Sequence, residues 1–138
     1  MIDVNIWAVL VCSVAAMVLG FLWYGPLFSK AWVKEMGWDP NDQAQMDKMK
    51  KAAGPAYFQQ FIGALIMAYV FAHVLKAFDN DSIAMGLQGA LWMWLGFIAP
   101  VKYSETLWGK ASMKLFFIDG VYYLVQLALY AIILTLWV

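Results

Sequence analysis

The sequence predicts an all-α integral membrane protein, a four-helix bundle with short amphipathic helices between spans 1 and 2. Of its 138 residues, 64% are hydrophobic and only 13% are charged, whereas soluble domains are roughly 45–50% apolar and about 25% charged. Four apolar stretches each approach the roughly 20 residues that cross a hydrocarbon core. The last of them lacks the alternation of a membrane β-strand, which argues against a barrel.

These stretches divide the chain, taken as a single domain over residues 1–138, into spans and connections. The predicted spans cover about residues 6–28, 55–78, 83–101 and 113–138, and the long first connection covers residues 29–54. No positively charged region precedes the first apolar stretch, so a cleaved signal peptide is not expected.

Two short helices are predicted in the first connection. Gly37 should end the first of them, whose apolar residues recur at helical spacing as in a helix of the headgroup region. Asp39 and Pro40 should cap and begin the second, and Gly54 and Pro55 should stop it. The segment is either a solvated connector or a regulatory or partner-binding element.

The lysines predict the orientation of the bundle. All nine basic residues are lysines, and eight of them fall in or beside the first and third connections. By the positive-inside rule, these connections face the cytoplasm and both termini lie outside. The predicted location is the cytoplasmic (inner) membrane of a prokaryote, as a multi-pass protein in the lipid bilayer. The eight lysines are Lys30, Lys34, Lys48, Lys50, Lys51, Lys102, Lys110 and Lys114.

Several classes of function lack support in the sequence. The net charge is zero and arginine is absent, so no nucleic-acid partner is expected. One cysteine and one histidine cannot build a zinc cage, and no metal or cofactor is expected. The chain has no phosphate-binding loop, zinc-protease motif or nucleophile elbow, so an enzyme is not expected.

Three stretches resemble a known family. Residues 20–32 read GFLWYGPLFSKAW and precede Met36 and Gly37, residues 89–97 read GALWMWLGF, and residues 115–120 read LFFIDG. Together they are similar to the domain-of-unknown-function family 1761. The resemblance covers nearly the whole chain and implies a small four-span membrane protein, mostly bacterial, with no established activity.

The fourth span carries a polar stripe that begins at an acid. Asp119, Tyr122, Tyr123, Gln126 and Tyr130 lie on one helix face at about 100° per residue. An ionisable group inside a span is costly and is by default a functional hypothesis. Asp119 is either a proton-accepting or cation-binding carboxylate or part of a buried polar clasp.

Antiparallel spans place further polar groups at the depth of Asp119. Gln59 and Gln60 of the second span and Tyr24 of the first are expected there, and all can donate to a carboxylate. The candidate cluster is therefore Asp119, Tyr122, Tyr123, Gln126, Gln59, Gln60 and Tyr24. His73 shares the face of Gln59 but lies near the outer end, as a secondary candidate or an interfacial packing residue.

Small residues recur at helical spacing in the first three spans, a pattern that allows helices to approach closely. They predict helix packing, with ligand space beside the glycines as the alternative. The residues are Ala8, Cys12, Ala16, Gly20, Ala64, Ala68, Ala72, Gly86, Gly89, Ala90 and Gly96.

The sequence thus leaves three functional hypotheses. The first is an accessory or structural bundle that forms a homo-oligomer or packs with a membrane-protein partner. The alternative is a small transporter or channel for a proton, cation or small solute that uses Asp119, and the third is a membrane enzyme. Whether Asp119 faces a wet cavity or a dry helix interface discriminates the first two.

Overall fold

A computed structural model of the chain describes residues 3–39, 41–109 and 111–137. Within these ranges the chain is helical, with two short π-helical segments that continue α1 and α4. The helices are α1 (Ile6–Leu22), α2 (Ser29–Glu35), α3 (Gln43–Ala77), α4 (Ile83–Met93), α5 (Ala99–Leu107) and α6 (Met113–Leu136). The π segments are Trp23–Leu27 and Trp94–Ile98.

Four continuous helices in the described chain are long and apolar enough to cross a membrane. They are Ile6–Leu27, Gln43–Ala77, Ile83–Leu107 and Met113–Leu136. Large apolar side chains such as Trp7, Phe21 and Phe97 are exposed on the outside of the bundle, as a lipid environment requires. The predicted fold class, an all-α protein with four spanning helices, is confirmed.

Polar side chains fix where the spanning helices begin. The Asn5 side chain accepts hydrogen bonds from the backbone nitrogens of Trp7 and Ala8 at 3.0 and 3.2 Å. The Ser82 and Ser112 side chains each accept one in the same way at the starts of α4 and α6. These caps satisfy N–H groups that have no partner within the first helical turn.

The first short helix of the connection is present, whereas the second is part of α3. Asp42, not Asp39, caps α3, and the Asp39 side chain instead accepts from the backbone nitrogen of Asn41. Pro40 lies outside the described residues. The helix then runs through Gly54 and Pro55, so the predicted stop is wrong. Pro55 removes one hydrogen bond, whereas ending the helix would leave several backbone groups unpaired.

Helix α3 is consequently much longer than a bilayer core. Its 35 residues extend for about 52 Å at 1.5 Å per residue, against a hydrocarbon thickness of about 30 Å. The third spanning helix is also longer than predicted, because α5 carries it through residues 102–107. Residue 110 of the predicted third connection and residue 138 of the predicted last span lie outside the described ranges.

Nine of the eleven predicted small residues are buried in the bundle. Helix α6 packs on α4 and α1, and α3 packs along α1. A Cβ atom added to Gly89 would lie 2.8 Å from Phe78 Cζ, and one on Gly86 would lie 2.9 Å from Thr135 Oγ1. Gly96 is exposed with open space beside it, so the single chain gives it no packing role. The buried members of the predicted set are Ala8, Cys12, Ala16, Ala64, Ala68, Ala72, Gly86, Gly89 and Ala90.

Candidate functional site

A cleft of about 630 Å³ separates the N-terminal half of α3 from α2 and α6. It exists because α3 packs on α1 but scarcely touches α6. One end is buried, at Ala16 and Tyr122, which are 1% and 5% exposed. The other end reaches the exposed Lys50. The cleft therefore opens on the lysine-rich side of the bundle and closes toward its middle.

Asp119 is the acid that the described residues contribute to the cleft. It lies six residues into α6, about 9 Å from the start of the helix, and is partly buried. The Tyr24 hydroxyl donates to Asp119 Oδ1 at 2.6 Å. Tyr24 comes from the first π segment, so this bond joins the ends of two spans.

Four aromatic rings form a continuous wall beside the carboxylate, which we call the aromatic wall. Trp32 meets Tyr24 at a centroid distance of 5.6 Å, Tyr24 meets Tyr122 at 5.3 Å, and Tyr122 meets Tyr123 at 5.2 Å. All four residues line the cleft. Edge-to-face contacts of this kind hold each ring against its neighbours, so the wall is a stiff surface.

Lys102 stands at the Tyr123 end of the aromatic wall. Its ammonium lies 5.5 Å from the centre of the Tyr123 ring and 3.7 Å from Glu105 Oε2. The wall thus already holds one cation of the protein itself, at a distance where the ring quadrupole attracts it. Lys102 belongs to the part of the third spanning helix that the sequence assigned to a connection.

Two tryptophans hold the backbone on either side of Asp119. Trp23 Nε1 donates to the carbonyl oxygen of Ile118 at 2.9 Å, and Trp94 Nε1 donates to that of Gly120 at 2.7 Å. Each tryptophan begins a π segment, and π segments are frequent at functional sites. A helical carbonyl has a second lone pair for such a bond, so both indoles fix the part of α6 that carries Asp119.

Neither tryptophan is among the site residues predicted from the sequence. Trp23 lies near the end of a predicted span, where tryptophans commonly sit at the membrane interface. Trp94 lies within a predicted span, and its position alone suggests no role. The available signal was a repeated triplet, Trp-x-Gly, at residues 23–25 and 94–96. It precedes Pro26 in the first case and Pro100 in the second, and proline disturbs helical hydrogen bonding.

The predicted polar cluster divides into two parts. Asp119, Tyr24, Tyr122, Tyr123 and Gln60 all line the cleft. Gln126 and Gln59 do not, because Gln126 is 1% exposed within the bundle and Gln59 is exposed outside the cleft.

A helix interface closes the bundle beyond the cleft. Gln126 Nε2 donates to the Tyr130 hydroxyl at 2.8 Å, and that hydroxyl donates to the carbonyl oxygen of Ala64 at 3.1 Å. The Tyr122 hydroxyl donates to the carbonyl oxygen of Ala16 at 3.2 Å. These bonds tie α6 to α3 and α1. Asp119 lies apart from them, and the Tyr hydroxyl that holds it is that of Tyr24.

His73 has no part in the cleft. Its Nδ1 lies 2.8 Å from the carbonyl oxygen of Tyr69, and its ring meets the Tyr69 ring at 4.5 Å. Both contacts are within α3, as for an interfacial packing residue. In the described ranges, no three His, Cys, Asp or Glu side chains are grouped so that they could hold a metal ion.

The fold and the cleft define a class of small helical proteins. Four long helices are able to cross a membrane, and a carboxylate lines a cleft between them. The chain belongs to the family described as protein of unknown function DUF1761, whose model matches residues 7–135. Neither a curated protein nor a solved structure matches the chain.

Proposed function

We propose that the protein is a small transporter that binds a proton, a cation or a small solute at Asp119. One observation carries the proposal: Asp119 lines a cleft of about 630 Å³, rather than a closed helix interface. A carboxylate at the centre of a membrane-spanning helix costs roughly 2.5–3.5 kcal/mol on insertion scales, and Asp119 bears a smaller cost because it lies nearer the end of α6. A role in binding accounts for that cost, since the carboxyl group is accessible to a ligand from the cleft.

The hydrogen bonding of Asp119 supports a binding role. Among the described residues, Tyr24 is the hydrogen-bond donor to this carboxylate, which leaves acceptor capacity for a ligand because a carboxylate accepts about four bonds. An accessory bundle that self-associates or packs with a membrane partner would account for the small residues at the helix interfaces. In such a bundle the bond from Tyr24 would give Asp119 a structural role, but the open cleft beside it would have no function.

The proposed location is the cytoplasmic membrane of a prokaryote, with the cleft open to the cytoplasm. Lys50 at the mouth of the cleft and the neighbouring Lys48 and Lys51 lie on the side that the positive-inside rule assigns to the cytoplasm. In this conformation the interface around Gln126 and Tyr130 separates the cleft from the other side. Transport then requires a second conformation in which α6 and α3 separate there.

Cysteine labelling tests this orientation. We expect Gln43→Cys, in a Cys12→Ala background, to react with a membrane-impermeant maleimide only after the inner face of the membrane is opened. Asp81→Cys in the same background is the control and should react in intact cells, because Asp81 is exposed on the opposite side of the bundle. Labelling of position 43 in intact cells would show that the orientation is reversed.

Flux into proteoliposomes tests the transport proposal. The parent protein should dissipate an imposed gradient of protons or of a monovalent cation, and Asp119→Asn should reduce the rate at least tenfold while the protein stays folded. Asparagine keeps the size of the side chain but cannot titrate or carry charge. Asp81→Asn removes an exposed acid outside the cleft and should retain the parent rate. Equal rates for the parent and Asp119→Asn would contradict the proposal.

A further inference from the structure

We infer that the solute of the cleft is a lipophilic organic cation, whose charged group lies against Asp119 and the aromatic wall. This inference rests on the proposed function, because it requires the cleft to bind a solute, and it adds the chemical class. Four features of the cleft carry it: the aromatic wall, the carboxylate, the arrangement of the lysines, and the size and apolar lining of the space.

The aromatic wall provides a surface that attracts cations. The faces of Trp and Tyr rings are negative, and a cation within about 6 Å of a ring centre is attracted to them. Trp32, Tyr24, Tyr122 and Tyr123 follow one another at centroid distances of 5.2–5.6 Å. The Lys102 ammonium at 5.5 Å from the Tyr123 ring is an internal example of such a contact.

The carboxylate lies within this wall, since Tyr24 both belongs to the wall and donates to Asp119 at 2.6 Å. A cation that displaces water from the wall therefore gains a charge partner as well as ring faces. The indoles of Trp23 and Trp94, bonded to the carbonyls of Ile118 and Gly120, hold the carboxylate where such a cation would bind. A preformed site loses less on binding than one that must be ordered.

Two lysines, Lys50 and Lys102, also line the cleft, and an unpaired lysine there would favour an anion over a cation. The Lys102 charge is paired with Glu105 at 3.7 Å and lies over the Tyr123 ring. Lys50 is exposed at the mouth, where water screens its charge. The titratable groups that face the cleft are Asp119, Lys50, Lys102, Tyr24, Tyr57, Tyr122 and Tyr123. Asp119 is the acidic group among them, and it lies beside the wall.

The remaining lining suits the apolar body of such a cation. The volume of about 630 Å³ falls within the roughly 300–1,000 Å³ of small-molecule sites. Met17, Met36 and Met49 line it together with Val33. Methionine is flexible and polarisable, so these side chains can adapt to bodies of different shape.

A shape-matched pair of ions tests the charge preference. Purified parent protein in an uncharged maltoside detergent is titrated calorimetrically with tetraphenylphosphonium and with tetraphenylborate, and each titration is corrected with micelles that lack protein. We expect tetraphenylphosphonium to bind at least tenfold more tightly than tetraphenylborate. Equal binding would mean that the cleft selects only for apolar bodies, and tighter binding of the borate would mean that the lysines dominate. Either result overturns the inference.

Variants test which residues provide the preference. Asp119→Asn should weaken tetraphenylphosphonium binding at least tenfold and Asp119→Glu should restore most of it, whereas Asp81→Asn should bind as the parent does. Trp32→Leu should weaken binding several-fold, with Trp108→Leu as its control because Trp108 is 81% exposed and outside the cleft. Parent-like affinity in Asp119→Asn overturns the inference. The comparison of tetraphenylphosphonium with tetraphenylborate on the parent protein decides the question even if a variant does not fold.

The two proposals fail in different ways. If tetraphenylphosphonium does not bind but proton or monovalent cation flux depends on Asp119, the proposed transport remains and the ligand class is wrong. If it binds through Asp119 but no gradient is dissipated, the ligand class remains and transport of those ions is wrong.

Discussion

Tyr130→Ala should destabilise the protein by about 3–5 kcal/mol, the usual cost of truncating a buried aromatic side chain. Tyr130 is fully buried and lies where α6 meets α3, so its removal leaves a cavity that neighbouring helices fill only in part. The loss is measured as a lower temperature for the unfolding of the purified protein in detergent, followed by circular dichroism.

Two further tyrosine variants separate the causes of this loss. Tyr130→Phe keeps the ring and removes the hydroxyl that bonds Ala64 and Gln126, and hydrogen bonds between membrane helices contribute about 0.6–1.7 kcal/mol. Tyr69→Ala is the matched control, since Tyr69 is 46% exposed. An effect of Tyr130→Ala no larger than that of Tyr69→Ala would contradict the burial of Tyr130 at the point where α6 meets α3.

Ala68→Leu should also destabilise the protein strongly, by about 1–3 kcal/mol or more, because a larger side chain there forces α3 away from its neighbours. Ala68 is 0% exposed in the core of the bundle. Gly89→Leu should act similarly, since even a Cβ atom at Gly89 comes within 2.8 Å of Phe78. Thermal unfolding and gel filtration in detergent measure both effects.

The control for these substitutions is Ile66→Leu on the outer face of α3, where Ile66 is 60% exposed. It changes an apolar side chain at a position open to lipid and should leave the unfolding temperature unchanged. If Ala68→Leu and Gly89→Leu purify with the size and unfolding temperature of the parent, the small residues do not form helix interfaces.

The position of Asp119 near Tyr24 could be predicted from depth alone. Both residues lie close to the lysine-rich ends of their spans, and antiparallel connectivity brings such ends to one level. The depth of a residue in the membrane does not distinguish Gln59 from Gln60, because the two differ mainly in direction. Successive helical residues point about 100° apart. Both side chains are exposed, but only Gln60 lines the cleft.

Local sequence signals gave wrong predictions where the helical and tertiary context outweighed them. Gly54 and Pro55 usually end a helix, yet α3 continues through both because the turns on either side remain hydrogen-bonded. The indole of Trp23 bonds the backbone of α6 across 95 positions of sequence. No local pattern encodes a contact between residues so far apart.

The sequence by itself determined that this is an all-α protein with four helices able to span a membrane. That conclusion depends only on local quantities, since each apolar stretch must satisfy its own backbone hydrogen bonds in lipid and its length sets what it can cross. Only the tertiary structure decided that Asp119 lines a cleft while Gln126, seven residues further on the same face, lies in a closed interface. The difference arises because α3 contacts α6 near Gln126 and Tyr130 but is separated from it by the cleft near Asp119. The position of α3 depends on its packing against α1 rather than on any property of α6.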